Sequence, residues 1–283
     1  MKGELWRRFR RSRLATAAVT YVGLITLLAL FAPLIADDGR PLVPYGPDTI
    51  DIVHRLEEPR PGHALGTDEL GRDVLSRMIH GARVSLLVGY SATAIALLVG
   101  SFLGALAGYY GGWIDWLVSR LIEVVLCFPF LLLVLGIVAL FQPSLYTIMI
   151  ALGLTSWTTE ARYMRGEVLR IRDLEFAQAA RASGARDRRI IFRHLLPNAI
   201  APVLVSASFG VANAIIVESA LSFLGFGVPL PTASWGAILA TAQQYVDYAW
   251  WLIVFPGVAI FTTVAAFNII GDRFRDALDP RSE

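Results

Sequence analysis

The segment between positions 175 and 197 carries the side chains best suited to bind another protein. It combines small residues and arginines on a stretch that lies between two strongly apolar runs. Small side chains at 177, 179, 180 and 182 let a second protein approach the backbone closely, and arginines surround them with positive charge. We assign the docking role to the following residues: Glu175, Gln178, Ala179, Ala180, Arg181, Gly184, Leu196 and Pro197.

The residues at the ends of this segment predict how it folds. Gly184 adopts a positive φ without a steric penalty, so we expect it to end a short helix. A second amphipathic turn follows it. Pro197 is tolerated where the next helix begins, because proline lacks only a donor that the first helical turn leaves unpaired anyway. The sequence therefore predicts a rigid element with a defined turn at each end.

Composition places the elements around this segment in a membrane. Apolar residues make up 55% of the chain and charged residues only 17%, and ~20 apolar residues are enough to cross a bilayer. Such runs must be helical, because a lone strand would leave its backbone groups unpaired in lipid. We predict an all-α polytopic membrane protein with six transmembrane helices, at about 14–35, 85–109, 117–141, 145–163, 199–220 and 249–271. The fourth ends in polar residues, so we expect it to continue as a cytoplasmic extension.

The distribution of arginine predicts the orientation, because segments rich in Lys and Arg stay in the cytoplasm. The N-terminal tail carries Lys2 and five arginines against Glu4, and residues 160–193 carry nine arginines against five acids. Residues 36–83 carry nine acids against six arginines. An even number of spans puts both termini on the same side. We therefore expect cytoplasmic termini, with 36–83 and 221–248 outside.

Two features inside the predicted spans point to buried contacts. Gly100, Gly104 and Gly108 recur every four residues on one helix, which permits a close helix crossing. Helix packing is the favoured role for them, and direct contact with a transported molecule is the alternative. Glu218 ends the fifth span, where a carboxylate is expensive unless it meets a polar cavity or a partner. A structural pairing and a place on a polar path through the membrane are equally open for Glu218.

Enzyme chemistry finds no support in the sequence. A P-loop needs a lysine at the phosphates, and the only lysine is Lys2 in the tail, so ATP hydrolysis is expected on a separate chain. His54, His63 and His80 share the outer loop with carboxylates but lack the i, i+4 spacing of helical metal ligands. We predict no catalytic residue, no cofactor and no metal. The net charge of +2 follows from topology, so we expect no nucleic-acid partner.

The docking segment resembles the EAA loop of type I ABC importer permeases, with Gln178 in place of the motif's glutamate and His194 in place of its isoleucine. Three further stretches are similar to the permease family for dipeptides, oligopeptides and nickel, and to its C-type subunit: 65–77, 222–227 and 271–281. The likeness extends from the first span to the C-terminus.

The resemblance implies a type I ABC importer transmembrane domain that forms half of a translocation pathway. Its implied partners are a second homologous permease, two ATP-binding cassette ATPase subunits, an extracytoplasmic substrate-binding protein and membrane lipid. Its implied place is the inner membrane of a bacterium or archaeon. Dipeptides or oligopeptides are the expected cargo, with nickel, glutathione or another small solute as alternatives. A secondary transporter or a membrane assembly protein would be a different class.

The predicted organisation has three parts. Residues 1–83 comprise the N-terminal tail, the first transmembrane helix and an extracytoplasmic loop. Residues 84–271 form the transmembrane core, which includes the cytoplasmic coupling loop 160–197, and residues 272–283 form a cytoplasmic tail.

Overall fold

The structure is a computed structural model that describes residues 12–40 and 42–278. Regular structure in these ranges is helical, without a named strand. The helices in chain order are α1 Arg13–Leu30, α2 Ala32–Ile35, α3 Val74–Tyr110, α4 Gly112–Leu126, α5 Phe130–Phe141, α6 Leu145–Ile171, α7 Glu175–Ala182, α8 Asp187–Phe223, α9 Trp235–Ala242 and α10 Trp251–Leu278. The basic tail 1–11 and the last residues 279–283, on which part of the predicted topology depends, lie outside the described residues.

The all-α polytopic class is confirmed, although the number of spans differs from the prediction. Four helices are long and apolar enough to cross a membrane, namely α1, α3, α8 and α10. A fifth crossing exists if α4 and α5 are counted as one broken span. The helix at the predicted fourth span, α6, is long, but charged side chains such as Arg165, Glu167 and Arg170 follow the apolar half.

The prediction of one helix over 117–141 is wrong, because the chain bends by 87° between α4 and α5. Pro129 lies at the bend with an extended backbone (ψ 124°). Proline has no N–H for the helical ladder and disfavours a helical conformation in the residue before it, so the helix stops there. Arg165 of α6 forms an ion pair with Asp115, which fixes the first turn of α4 beside α6.

Helix α3 begins well before the predicted second span, so the predicted boundary at residue 83 falls inside it. Asp73 caps its N-terminus by accepting a hydrogen bond from the Ser76 amide at 2.8 Å. The same carboxylate contacts Nδ1 of His63 at 2.9 Å, on the buried side of the loop that precedes α3. At the other end of the chain, α10 continues past residue 271 as one helix.

The remaining loop histidines also have partners in the fold. His54 contacts Asp51 at 2.7 Å, and His80 donates from Nε2 to the carbonyl of Ala36 at 2.7 Å. Among the described residues, no three His, Cys, Asp or Glu side chains are placed to hold a metal ion.

Helix α3 is the centre of the bundle and packs against α1, α4, α6, α8 and α9. Its glycines lie directly against α6: a Cβ built on Gly104 would be 2.4 Å from the carbonyl oxygen of Ala161. A Cβ on Gly108 would be 2.9 Å from that of Arg165, and one on Gly100 would be 2.6 Å from Cβ of Glu160. Only glycine permits this separation, which holds α3 and α6 together along much of their length.

Candidate docking segment and membrane cavity

Helix α7 forms the middle of the predicted docking segment and ends in a glycine turn. Gly184 has a φ of +74°, so the predicted left-handed turn is confirmed. The amide of Gly184 donates to the carbonyl of Arg181 at 2.9 Å, and that of Ala185 donates to the carbonyl of Ala180 at 3.1 Å. This pair of bonds is the Schellman arrangement, which satisfies carbonyls at the helix end and fixes the direction of the exit.

The two faces of α7 differ from the predicted surface of small residues. Ala177 is fully buried and Ala180 is half-buried, because the helical period turns both toward the bundle. They pack against apolar side chains at the adjoining ends of α3, α6 and α8. Ala179 and Ala182 are exposed, so they are more accessible from outside the bundle than Ala177 and Ala180, and the docking role of this surface stays a prediction.

Polar contacts attach α7 and its flanks to the end of α3. Arg172 donates from Nη1 to the carbonyl of Gly108 at 2.8 Å. Tyr109 donates from its hydroxyl to Asp187 at 2.7 Å, and the guanidinium of Arg181 lies 5.4 Å from the centre of the Tyr109 ring. The docking segment is therefore attached to the end of α3 at three places: by Arg172 before α7, by Arg181 on α7 and by Asp187 after it.

Gln178 and Glu175 are both exposed on α7. Gln178 donates from its amide nitrogen to the carbonyl of Asp173 at 2.9 Å. A glutamate, the residue of the EAA motif, has no donor for this bond when it is ionised. Glu175 lies in the first turn of α7, where the helix dipole favours a negative charge.

The predicted helix start at Pro197 coincides with the start of an α-helical part, which lies within a longer continuous helix. Helix α8 is continuous from Asp187 and contains a π-helical stretch, Ile190–Leu195. The amide of Leu196 donates five residues back to Ile191, and the α-helical part begins at Leu196 with Pro197 in its first turn. The wider π turns accommodate a residue that cannot donate to the helical ladder.

A cavity of about 550 Å³ lies between the middle parts of α3, α6 and α8 and the bend that joins α4 to α5. Its wall combines hydroxyl, amide and aromatic side chains with one carboxylate. The residues on which its chemistry depends are Thr159, Glu160, Tyr163, Ser206, Phe209 and Asn213. Thr159 and Glu160 belong to the polar stretch that ends the fourth predicted span.

Glu160 is the residue that sequence reasoning missed, since it was regarded only as part of the polar end of a span. Its side chain contributes to the cavity wall, although the residue is only 5% exposed. One carboxylate oxygen accepts a hydrogen bond from the Ser206 hydroxyl. The signal available in the sequence was a carboxylate inside a predicted span and beside two threonines.

Glu218 has different surroundings and does not line this cavity. It is 0% exposed and accepts hydrogen bonds from the hydroxyls of Ser85 at 3.0 Å and Ser222 at 2.8 Å. These contacts are of the structural kind that the sequence left open, and a role for Glu218 in the pathway stays a prediction.

Glu123 and Arg120, at the exposed face of α4, form an ion pair at 2.5 Å.

Comparison with known proteins accounts for this combination of a docking segment and a helical membrane core. The model of the family described as binding-protein-dependent transport system inner membrane component matches residues 100–283. The chain belongs to this family. A second model, the N-terminal transmembrane domain of oligopeptide transport permease C, matches residues 3–59, so the resemblance drawn from the motifs is confirmed.

Relatives of the permease match it over nearly its whole length. A dipeptide transport system permease protein of Alkalihalophilus pseudofirmus is 40% identical and the match covers 98% of this chain and 89% of the relative. A glutathione transport system permease protein of Pectobacterium atrosepticum is 39% identical, with 98% and 90% covered. The inward-facing MetNI methionine ABC transporter has the same fold, with a TM-score of 0.59, 20% identity, and 72% and 98% of the two chains covered.

Proposed function

We propose that this permease forms half of the translocation pathway of an ATP-driven importer of dipeptides or oligopeptides, and that α7 transmits the movement of separate ATPase subunits to it. The names of the relatives support the cargo, because both dipeptide and oligopeptide permease proteins are 36% or more identical over nearly the whole chain. Glutathione, itself a peptide, is the alternative cargo that a relative's name supports. The observation that carries the coupling role is the attachment of α7 to three long helices while its outer face is free.

The coupling route follows from these attachments. An ATPase subunit that contacts Ala179 and Ala182 would move α7 as a rigid element. Its inner face, through Ala177, packs against α6 and α8, and Arg181 lies over the ring of Tyr109 on α3. Much of the cavity wall belongs to the same three helices, so movement at the cytoplasmic end changes the cavity. Only contacts that differ between two states can drive such a switch.

The remaining partners complete the proposed assembly. A second homologous permease supplies the other half of the pathway, and an extracytoplasmic binding protein delivers cargo to the ordered outer loop. That loop is held by buried ion pairs, among them Arg72 with Asp68 at 2.7 Å and Arg77 with Asp68 at 3.3 Å. In the proposed orientation, α7 and both termini face the cytoplasm, and the permease lies in an inner membrane together with its lipid.

The test of coupling uses Gly184→Val in the assembled importer. A β-branched residue at a φ of +74° is strained by about 1–2 kcal/mol, so the turn after α7 should change shape. We expect normal membrane insertion, but loss of ATPase subunits on purification or ATP hydrolysis without uptake. The matched control is Gly184→Asn, because asparagine tolerates the left-handed region, and Ala179→Glu probes the exposed face independently. Full ATPase association and uptake in both Gly184→Val and Ala179→Glu would exclude α7 as the coupling element.

A further inference from the structure

We propose that Glu160 is an intramembrane subsite for a primary ammonium group, and that in this permease it receives the free amino terminus of the transported peptide. The proposal rests on the peptide-import function argued above and assigns a chemical role to one residue of the cavity. It begins from the surroundings of the carboxylate, in which the described residues place no cation against it.

The carboxylate of Glu160 has no ion-pair partner among the residues that the structure describes. Of the arginines that follow it on α6, Arg162 is exposed and forms no ion pair with it, and Arg165 is already paired with Asp115. Arg172, just after α6, donates to the backbone of α3. The single hydrogen bond from Ser206 uses one carboxylate oxygen, and no other described residue donates to the second oxygen. A buried carboxylate without a counter-charge is costly, so this one is suited to a cationic group that enters the cavity.

The groups around Glu160 match the needs of an ammonium ion. A primary ammonium has three N–H donors, of which the carboxylate can accept one or two. The hydroxyls of Thr159 and Ser206 and the amide oxygen of Asn213 supply further acceptors on the same cavity wall. Phe209 and Tyr163 offer aromatic faces, which attract cations and also accommodate apolar side chains of a peptide.

The size and composition of the cavity favour a small organic cation over a metal ion. A volume of about 550 Å³ is within the ~300–1,000 Å³ typical of small-molecule sites. Divalent cations require several oxygen, nitrogen or sulfur ligands, often with more than one negative charge. Among the described residues no group of three His, Cys, Asp or Glu is placed to supply them, and Glu160 is the only carboxylate on this wall.

The position of Glu160 also connects the subsite to transport. Its Cβ lies against the Gly100 backbone of α3, and its carboxylate is bonded to Ser206 of α8. Three helices that contact the docking segment therefore meet at this carboxylate. A change in their separation would alter how many acceptors an ammonium group finds there, so cargo would be bound in one state and released in another.

The experiment measures binding to the assembled importer without its binding protein, so that selection by the binding protein does not enter. Isothermal titration calorimetry compares alanyl-alanine with N-acetyl-alanyl-alanine, which lacks the ammonium charge. We expect the free dipeptide to bind about tenfold or more tightly, as for a charge-assisted hydrogen bond. Glu160→Gln, which keeps the shape and can still accept from Ser206, should abolish the preference. Glu167→Gln, two turns along α6 and away from the cavity, is the matched control and should keep it.

Two results would overturn the proposal: equal affinity of the wild-type importer for the two peptides, or an unchanged preference in Glu160→Gln. If Glu160→Gln assembles poorly, Glu160→Asp decides, because it retains the charge and should retain a preference for the free dipeptide. An Asp variant that binds both peptides equally would also contradict the proposal.

Butylammonium separates this proposal from the assignment of peptides as cargo. If it binds the wild-type importer but not Glu160→Gln, while no peptide is taken up, the ammonium subsite stands and the peptide assignment fails. If peptides are taken up, but Glu160→Gln changes neither the binding of butylammonium nor the preference for a free amino terminus, the peptide assignment stands and the subsite fails.

Discussion

Two buried carboxylates of the helical bundle differ in their hydrogen bonding and in their access to a cavity. Glu218 is 0% exposed, and two serine hydroxyls donate to its two oxygens from different directions. Glu160 has one such donor and contributes to the wall of a cavity. Burial with complete hydrogen bonding is what a structural carboxylate needs, and an incompletely bonded carboxylate beside a cavity is suited to a ligand.

The surroundings of Glu218 show how a structural carboxylate connects distant parts of a chain. Ser85 on α3 donates to Glu218 and also accepts a hydrogen bond at 3.3 Å from the amide of Trp235 at the start of α9. Gly236 lies against Ser219, where a Cβ would be 2.5 Å from its Cα. Glu218 therefore joins α3, α8 and α9 where these helices pack closely.

The largest expected effect is on stability and follows from removal of Glu218. Glu218→Ala leaves the hydroxyls of Ser85 and Ser222 without their acceptor and opens a void, which should lower the free energy of unfolding by about 2–4 kcal/mol. Glu160→Ala should lower it less, because its carboxylate already borders a cavity. Thermal unfolding midpoints of the two purified complexes check this order. A larger loss in Glu160→Ala would reverse the comparison.

The next effect comes from the glycine that positions Glu160. Gly100→Ala places a Cβ at 2.6 Å from Cβ of Glu160, so α3 and α6 must separate or the glutamate must move. We expect a stability loss of about 1–3 kcal/mol, as for other overpacked sites, together with weaker binding of a free-amino dipeptide. Gly166→Ala is the control on α6, because nothing lies within 4 Å of its Cβ. Equal midpoints and equal affinity for the two variants would contradict the close contact.

The smallest expected effect distinguishes the two serine partners. Ser222→Ala removes one of two donors from an enclosed carboxylate, so it should cost about 1–2 kcal/mol. Ser206→Ala removes the donor of Glu160, and water in the cavity can replace it, so the midpoint should hardly change. Thermal unfolding of the two variants side by side measures the difference. Equal losses would mean that Glu160 is as enclosed as Glu218.

The sequence predicted the docking segment well where single residue types determine the backbone. Glycine is the residue that best tolerates a positive φ, and Gly184 has one. The helical class followed from apolar runs, and the close crossing at Gly104 followed from the spacing of the glycines. The orientation of the faces of α7 was not predictable, because it depends on which side chains of α3, α6 and α8 meet it.

The bend at Pro129 and the role of Glu160 required the structure for related reasons. A run of apolar residues is compatible with one straight helix or two bent ones, and proline is tolerated in many membrane helices. A glutamate in a span is equally compatible with pairing and with a cavity. Ser206, the hydrogen-bond partner of Glu160, lies far away in the sequence, and only the packing of α6 against α8 brings it close.

Uptake by the assembled importer tests most directly the claim that the pathway passes Glu160 and not Glu218. Glu160→Gln and Glu218→Gln are reconstituted with their partners, and the initial rate of free-amino dipeptide uptake is measured per assembled complex. We expect Glu160→Gln to lose about tenfold or more of the rate with an unchanged unfolding midpoint, as for a lost charge-assisted contact. Glu218→Gln should keep its rate per complex and unfold at a lower temperature. A normal rate in Glu160→Gln together with a lost rate in a thermally stable Glu218→Gln would contradict the account.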